Sequence, residues 1–491
     1  MSPIDWNLAA QDLGRFFTEP VPGGLPFLSM GFWLVFMLFL AVYALLKKST
    51  KTGMMLWVLA FSLFFFYKAN GWLMILLPAT AGANWLLVER MRKADDVRWK
   101  KALLTITVII DLSALLYFKY TGFILHDVIR SNFEIGKIAL PIGISFYTFQ
   151  AISYAVDVYR GKYTDRPTLL EYLFYLSYFP LLLAGPITRA GTLLPQIRRN
   201  QMPAQRELWL GLWLIILGII KKGVLADYLA VYNNLAFDTP ASYSGYELLM
   251  AVFGYTMQIY LDFSGYSDLA IGLSALLGFR LNENFLFPYR SLNLTEFWRR
   301  WHISLSTWFR DYLYIPLGGN RKGKVRTLLN NFITMVVAGL WHGASWMFVI
   351  WGAMHGAGLV VHKLCSGWLK KIPDTWPVKA ASWLVTMLFV MAAWIFFRAD
   401  SMEVVGQFYG KIFTGIDLAY FVPFWQARSL WCIVLLISVA GLLITPRMYT
   451  RAKLHFIRLP WPVKLLILII AVQLMIQLRS GDIRPFIYYQ F

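Results

Sequence analysis

Apolar runs long enough to cross a lipid bilayer recur along the whole chain, and no other feature limits its fold as strongly. Crossing about 30 Å of hydrocarbon takes roughly 20 mostly apolar residues as a helix. Such runs appear at Leu28–Leu46, Met54–Tyr67, Trp72–Val88, Leu103–Tyr117, Ile138–Val156 and Leu169–Ala184. They continue at Leu208–Ile220, Leu248–Leu261, Phe332–Val361, Ala381–Phe397, Leu430–Ile444 and Val463–Leu478. A soluble domain is typically about 45–50% apolar and about 25% charged; this chain is 58% hydrophobic and 15% charged. The expectation is an all-α polytopic membrane protein with about a dozen transmembrane or re-entrant helices.

The formal net charge of +20 would suggest nucleic acid as a partner in a soluble protein. Here Lys and Arg cluster at the ends of apolar runs, as membrane topology requires, so membrane lipid rather than nucleic acid is the expected surroundings. Lys47, Lys48 and Lys51, and the stretch from Arg90 to Lys101, place their loops in the cytoplasm and the N-terminus outside. Two cysteines, Cys365 and Cys432, support neither a disulfide framework nor a thiolate metal site. Residues 1–26 carry Asp5, Asp12, Arg15 and Glu19 and lack the basic start and apolar core of a cleavable signal. They read as a polar N-terminal segment or surface helix before one transmembrane domain over residues 27–491.

The region at about 279–327 differs from an ordinary loop. From Arg290 to Arg326, eight Lys or Arg stand against Glu296 and Asp311, interleaved with Trp298, Trp301, Trp308, Phe309, Tyr312 and Tyr314. Basic and aromatic residues together mark an interfacial or re-entrant element. Asn293 with Glu296 three residues on is a helix start, and Pro316 with Gly318 and Gly319 is a stop. A helix from Asn293 to about Tyr314 would put Trp298, His302, Leu305 and Phe309 on one face.

Of six histidines, His342 is the sharpest candidate, set in the apolar stretch VVAGLWHGASWMFVIWG. An ionisable group there is costly and marks a functional site by default. The small neighbours Gly339, Gly343 and Ala344 allow close approach. A buried neutral imidazole can act as a general base on a hydroxyl, a role worth about 10² to 10⁴ in rate; the plainer reading is a hydrogen bond to another helix. His355, in WGAMHGAG, fits helix packing, substrate lining or a direct role. Asp111, Asp262 and Asp268 also lie in or beside apolar runs, either paired with a cation from another helix or lining a tunnel. No zinc-ligand spacing, phosphate loop, dinucleotide fingerprint or serine elbow occurs, so metal-free chemistry is expected.

Several long segments resemble a known family: PIGISFYTFQAISYAVDVYRG, FPLLLAGPITR, YLDFSGYSDLAIG, NFLFPYRSLNLTEFWRRWHISLSTWFRDYLYIPLGGNR, GLWHGASWMFVIWGAMHG and the ending RPFIYYQF. From about Phe27 onward the chain resembles the alginate O-acetyltransferase branch of the membrane-bound O-acyltransferase family, to which D-alanyl transfer proteins are cousins. The resemblance implies a ring of helices around a thin centre pierced by a tunnel. It implies that His342, of the WHG motif, is catalytic and that His302, of the RRWH motif, is its nearby second histidine. It also implies a cytoplasmic donor, acetyl-CoA, with no tightly bound cofactor, and a separate extracytoplasmic partner of the SGNH-hydrolase type. The location would be the bacterial cytoplasmic membrane.

On this reading Arg321, Lys322, Lys324 and Arg326 suit the donor's phosphates, and Asp262, Asp268, Trp298, Trp341 and His355 shape the path to His342. D-alanyl transfer, a transporter for a lipid-linked glycan and a scaffold for an outer-surface enzyme are the alternatives.

Overall fold

The computed structural model describes residues 14–21, 23–131, 133, 140–182, 185–369 and 371–479. The RPFIYYQF ending, Ile138 at the start of one apolar run, Ala184 at the end of another and the first thirteen residues lie outside these. The regular elements among the described residues are all helical. Six of the helical stretches are long and apolar enough to cross a membrane, or seven if the pair Leu418–Ala427 and Ser429–Leu443, bent by 98°, counts as one. Several of the shorter apolar runs form helices below spanning length, such as Trp461–Gln477.

The chain divides into two compact units. The first holds α1 (Met30–Ser49), α2 (Lys51–Asn70), α3 (Leu76–Lys93), α4 (Val97–Leu115), α5 (Ile144–Tyr159), α6 (Leu169–Ser177) and α7 (Ala190–Arg199). Thr50 ends α1 and caps α2, its hydroxyl accepting from Gly53 N at 2.9 Å. Phe39 of α1 packs on Phe61 of α2 with centroids 4.2 Å apart. The polar segment ahead of α1 is tied to α2: Lys68 donates to the Phe16 carbonyl at 2.7 Å and Tyr67 to that of Thr18 at 2.6 Å. Lys47 and Lys48 sit in the last turn of α1, and Arg90, Arg92 and Lys93 in that of α3, where cations favour the helix dipole.

Asp111 departs from the expected pairing with a cation. It is 1% exposed, yet its partner is an amide: Asn84 donates to it at 2.6 Å and accepts from the Tyr172 hydroxyl at 2.7 Å. A carboxyl inside an apolar helix layer is thus held by a neutral hydrogen-bonded chain rather than by Lys or Arg.

The second unit holds α8 (Gln205–Gly218), a π-helical segment (Ile219–Ala226), α9 (Asp227–Asp238), α10 (Gly245–Leu276), α11 (Leu294–Arg300), α12 (Ile303–Phe309) and α13 (Lys324–His342). It continues with α14 (Trp346–Leu369), α15 (Trp376–Arg398), α16 (Met402–Thr414), α17 (Ser429–Ala440), α18 (Pro446–Arg458) and α19 (Trp461–Gln477). The α13–α14 pair carries the WHG segment and is packed backbone to backbone. A Cβ on Gly352 would run into the Met335 carbonyl and lie 3.1 Å from Val336 Cα. Glycine is what lets these helices touch.

Gly352→Val should therefore lower stability by about 1–3 kcal/mol, read as a fall in the thermal unfolding midpoint in detergent. Gly406→Ala, at a site with nothing within 4 Å, should leave that midpoint unchanged or slightly raised.

Candidate active site

The stretch from Asn293 to Tyr314 is broken where the sequence pattern read one helix. Asn293 does cap α11, accepting from Glu296 N at 2.9 Å. However, α11 stops at Arg300 and α12 begins at Ile303, with His302 at the break in a left-handed conformation, φ +43°. A non-glycine residue there costs of order 1–3 kcal/mol and persists only when its surroundings impose it.

What imposes it is Asn284, 1% exposed. Its Oδ1 accepts from Ser304 N at 3.1 Å and Ser304 Oγ at 2.9 Å, and lies 3.2 Å from His302 Nδ1. Its carbonyl accepts from Ile303 N at 2.9 Å. An acceptor opposite Nδ1 places the imidazole proton there and leaves Nε2 as the basic nitrogen. Phe263 meets the ring edge-on at 4.6 Å. The His302 side chain is fully buried, and burial disfavours a charged imidazole, so the ring stays neutral at working pH.

His342 is the last residue of α13 and is 3% exposed. Three rings stand edge-on to it: Trp341 at 5.1 Å, Trp351 at 5.1 Å and Phe397 at 5.2 Å between centroids. Trp341 also lies 6.2 Å from the His302 ring, so one indole adjoins both histidines. Trp351 is likewise 4.9 Å from His355. His355 is fully buried; its Nδ1 accepts from Trp298 Nε1 at 3.3 Å, which puts its own proton on Nε2. Among the described residues that Nε2 has no hydrogen-bond partner. The structure thus gathers His302, His342, His355, Trp298 and Trp341 into one aromatic enclosure, closed further by Trp301 and Trp394, 5.1 Å apart.

The carboxylates go elsewhere. Lys222 binds Asp262 and, at 2.8 Å, Asp227; Lys221 binds Asp268 at 2.7 Å. The pairing reading holds for both, and Asp268 also lines a cavity of about 980 Å³. That cavity is walled by apolar side chains such as Leu214, Leu217, Met257, Leu261 and Ile271, and includes Asn284, the residue that holds His302. Arg206, Arg280, Arg290 and Lys453 also line it. Arg321, Lys322, Lys324 and Arg326 do not; they are exposed at the start of α13 and before it.

Sequence reasoning did not single out Asn284, although it opens the segment NFLFPYRSLNLTEFWRRWH that carries the family resemblance; no helical periodicity connects it to His302. It also missed Lys221 and Lys222, although adjacent lysines in the apolar run IIKKGVL are a legible sign that carboxylates must lie opposite.

Fold and site together define a multi-pass membrane enzyme with a buried imidazole centre. The model of the membrane-bound O-acyltransferase family matches residues 164–399, a span that includes His302, His342 and His355. The chain is 38% identical over 404 residues to the "Probable alginate O-acetylase AlgI" of Pseudomonas syringae pv. tomato, covering 80% of this chain and 74% of that protein. It is 36% identical over 392 residues to the "Peptidoglycan O-acetyltransferase" of Helicobacter pylori, covering 74% of each. The "Teichoic acid D-alanyltransferase" of Bacillus subtilis is 30% identical over 244 residues, 47% of this chain and 60% of that one. The chain belongs to the membrane-bound O-acyltransferase family and is an O-acyltransferase.

Asn284→Ala should release the α11–α12 break and lower kcat by about 10- to 100-fold, since roughly 1 Å of misplacement near a reacting group costs that much. Acyl transfer by variant protein whose unfolding midpoint is checked in parallel measures it.

Proposed function

We propose that this chain moves an acetyl group from cytoplasmic acetyl-CoA across the bacterial cytoplasmic membrane for O-acetylation of a polysaccharide outside, together with a separate SGNH-type acetyltransferase. The observation that carries this reading is the enclosure of three histidines with a helix-lined cavity whose wall includes the residue orienting one of them. The activities named for the O-acetylating relatives support the acyl group and the class of acceptor.

The chemistry follows from the groups present. The acceptor hydroxyl gives its proton to the His342 imidazole as its oxygen bonds to the thioester carbonyl carbon. The tetrahedral intermediate collapses with loss of the thiolate, which takes the proton from the His342 imidazolium to leave as the thiol, and the ester is complete. His302, neutral and held in one tautomer by Asn284, orients the reacting groups and shares the proton. The His355 Nε2–H, with no acceptor among the described residues, suits the oxyanion. Aromatic walls keep water from intercepting the thioester.

Two basic groups fit the donor's phosphates: Arg206, Arg280, Arg290 and Lys453 along the cavity, and Arg321, Lys322, Lys324 and Arg326 on exposed chain. The second group is favoured by its lack of ion pairs among the described residues, whereas Arg280 is bound to Glu207.

The test is transfer of labelled acetyl from acetyl-CoA in vesicles holding the purified protein and its SGNH partner. Label should reach polysaccharide on the opposite side only with both proteins. A protein that leaves acetyl-CoA untouched but accepts D-alanine from a carrier protein would replace acetyl by D-alanyl transfer. Neutralising Arg321, Lys322, Lys324 and Arg326 together should raise KM for acetyl-CoA about tenfold or more with little change in kcat; an unchanged KM would move the donor's phosphates to the cavity group.

A further inference from the structure

A lysine and a tyrosine beyond α4 have no part in that chemistry, yet they bind the backbone that carries His342. Lys119 and Tyr120 end a π-helical turn, Leu116–Tyr120, and single π turns are frequent at functional sites. Lys119 Nζ donates to the Trp341 carbonyl at 2.6 Å and to the His342 carbonyl at 3.0 Å. The Tyr120 hydroxyl donates to the Leu340 carbonyl at 2.7 Å. The Lys119 cation also lies 5.9 Å from the centre of the Trp341 ring.

The last four carbonyls of any helix lack partners within it, and at membrane depth no water replaces them. At the end of α13, Gly339 O meets Gly343 N at a long 3.4 Å, and the next three carbonyls are taken by these two side chains. A cation at that end is also where the helix dipole favours one. A lysine inside an apolar stretch is costly without such partners, by about 2.5–3.5 kcal/mol. The cap accounts for its position.

We propose that Lys119 is a positioning residue: by capping the terminal carbonyls of α13 it fixes the direction of the Trp341–His342 dipeptide, and so aims the His342 imidazole at the acceptor, with Tyr120 assisting. The inference rests on His342 being the catalytic base. A tight helix end without the cap would fray over its last turn, and the first residue to lose its place would be His342.

The test compares Lys119→Met, Lys119→Arg, Tyr120→Phe and His342→Ala in the acetyl-transfer assay, each with its unfolding midpoint and its acetyl-CoA KM. Lys119→Met should lower kcat about 10- to 100-fold while KM stays within about twofold. Lys119→Arg, whose guanidinium can serve the same carbonyls, should recover most of that loss, and Tyr120→Phe should cost less than Lys119→Met. Recovery by Arg separates positioning from general destabilisation, and it is read even if the Met variant folds poorly. Wild-type kcat in a folded Lys119→Met, alongside an inactive His342→Ala, would overturn the cap. Equal loss in the Met and Arg variants would overturn it too. Full activity in His342→Ala would instead remove the reading on which it rests.

Discussion

An imidazole that is to take and return a proton inside an apolar layer cannot be steadied by water, so the protein has to supply every contact that orients it. In the second unit that demand organises the local structure. His342 stands at a helix end, the one place where a helical side chain is not backed by a following turn, and it is held by rings on three sides. His302 stands at a helix break for a related reason: only there does its ring reach Asn284 while its backbone closes α11 and opens α12. Both positions are exposed to fraying, and both are secured by polar groups from distant points in the sequence. The glycines of the α13–α14 pair serve the same end, since backbone contact leaves α13 little freedom to shift.

The charged groups divide by task. Lys222 neutralises Asp262 in the interior, where removing one partner would leave an unpaired charge in a medium that tolerates it poorly, and Lys221 neutralises the part-buried Asp268 at the cavity wall. In the histidine enclosure, by contrast, the ring nitrogens of His302 and His355 meet an amide and an indole. Neutral imidazoles among aromatic rings suit a reaction in which a proton moves from hydroxyl to base to thiolate.

The membrane character, the helical class and the candidacy of His342 are plain in the sequence, because each rests on local composition: long apolar runs, and one ionisable residue among glycines. Trp298, Trp341, His302 and His355 stand out there too, and these do converge. What composition could not carry was the break at His302. The spacing of Trp298, His302, Leu305 and Phe309 suits one continuous helix, and the competing contact comes from Asn284, which no periodicity connects to it. The partner of Asp111 was missed for the opposite reason: a cation was sought, and a neutral amide, Asn84, holds it with Tyr172 behind. Lys119 left a sign, a cation in LLYFKYTG, but its meaning depends on carbonyls more than two hundred residues away.

The measurement that bears most directly on the account is the single-turnover rate of acetyl transfer from the proposed donor, acetyl-CoA, by His342→Ala against the unaltered protein, each reconstituted with the proposed outer partner and each shown to be folded. Loss of a general base predicts a fall of about 10² to 10⁴ in that rate with donor binding unchanged. A variant that transfers acetyl at the rate of the unaltered protein would contradict the account and leave the buried histidines as packing groups alone.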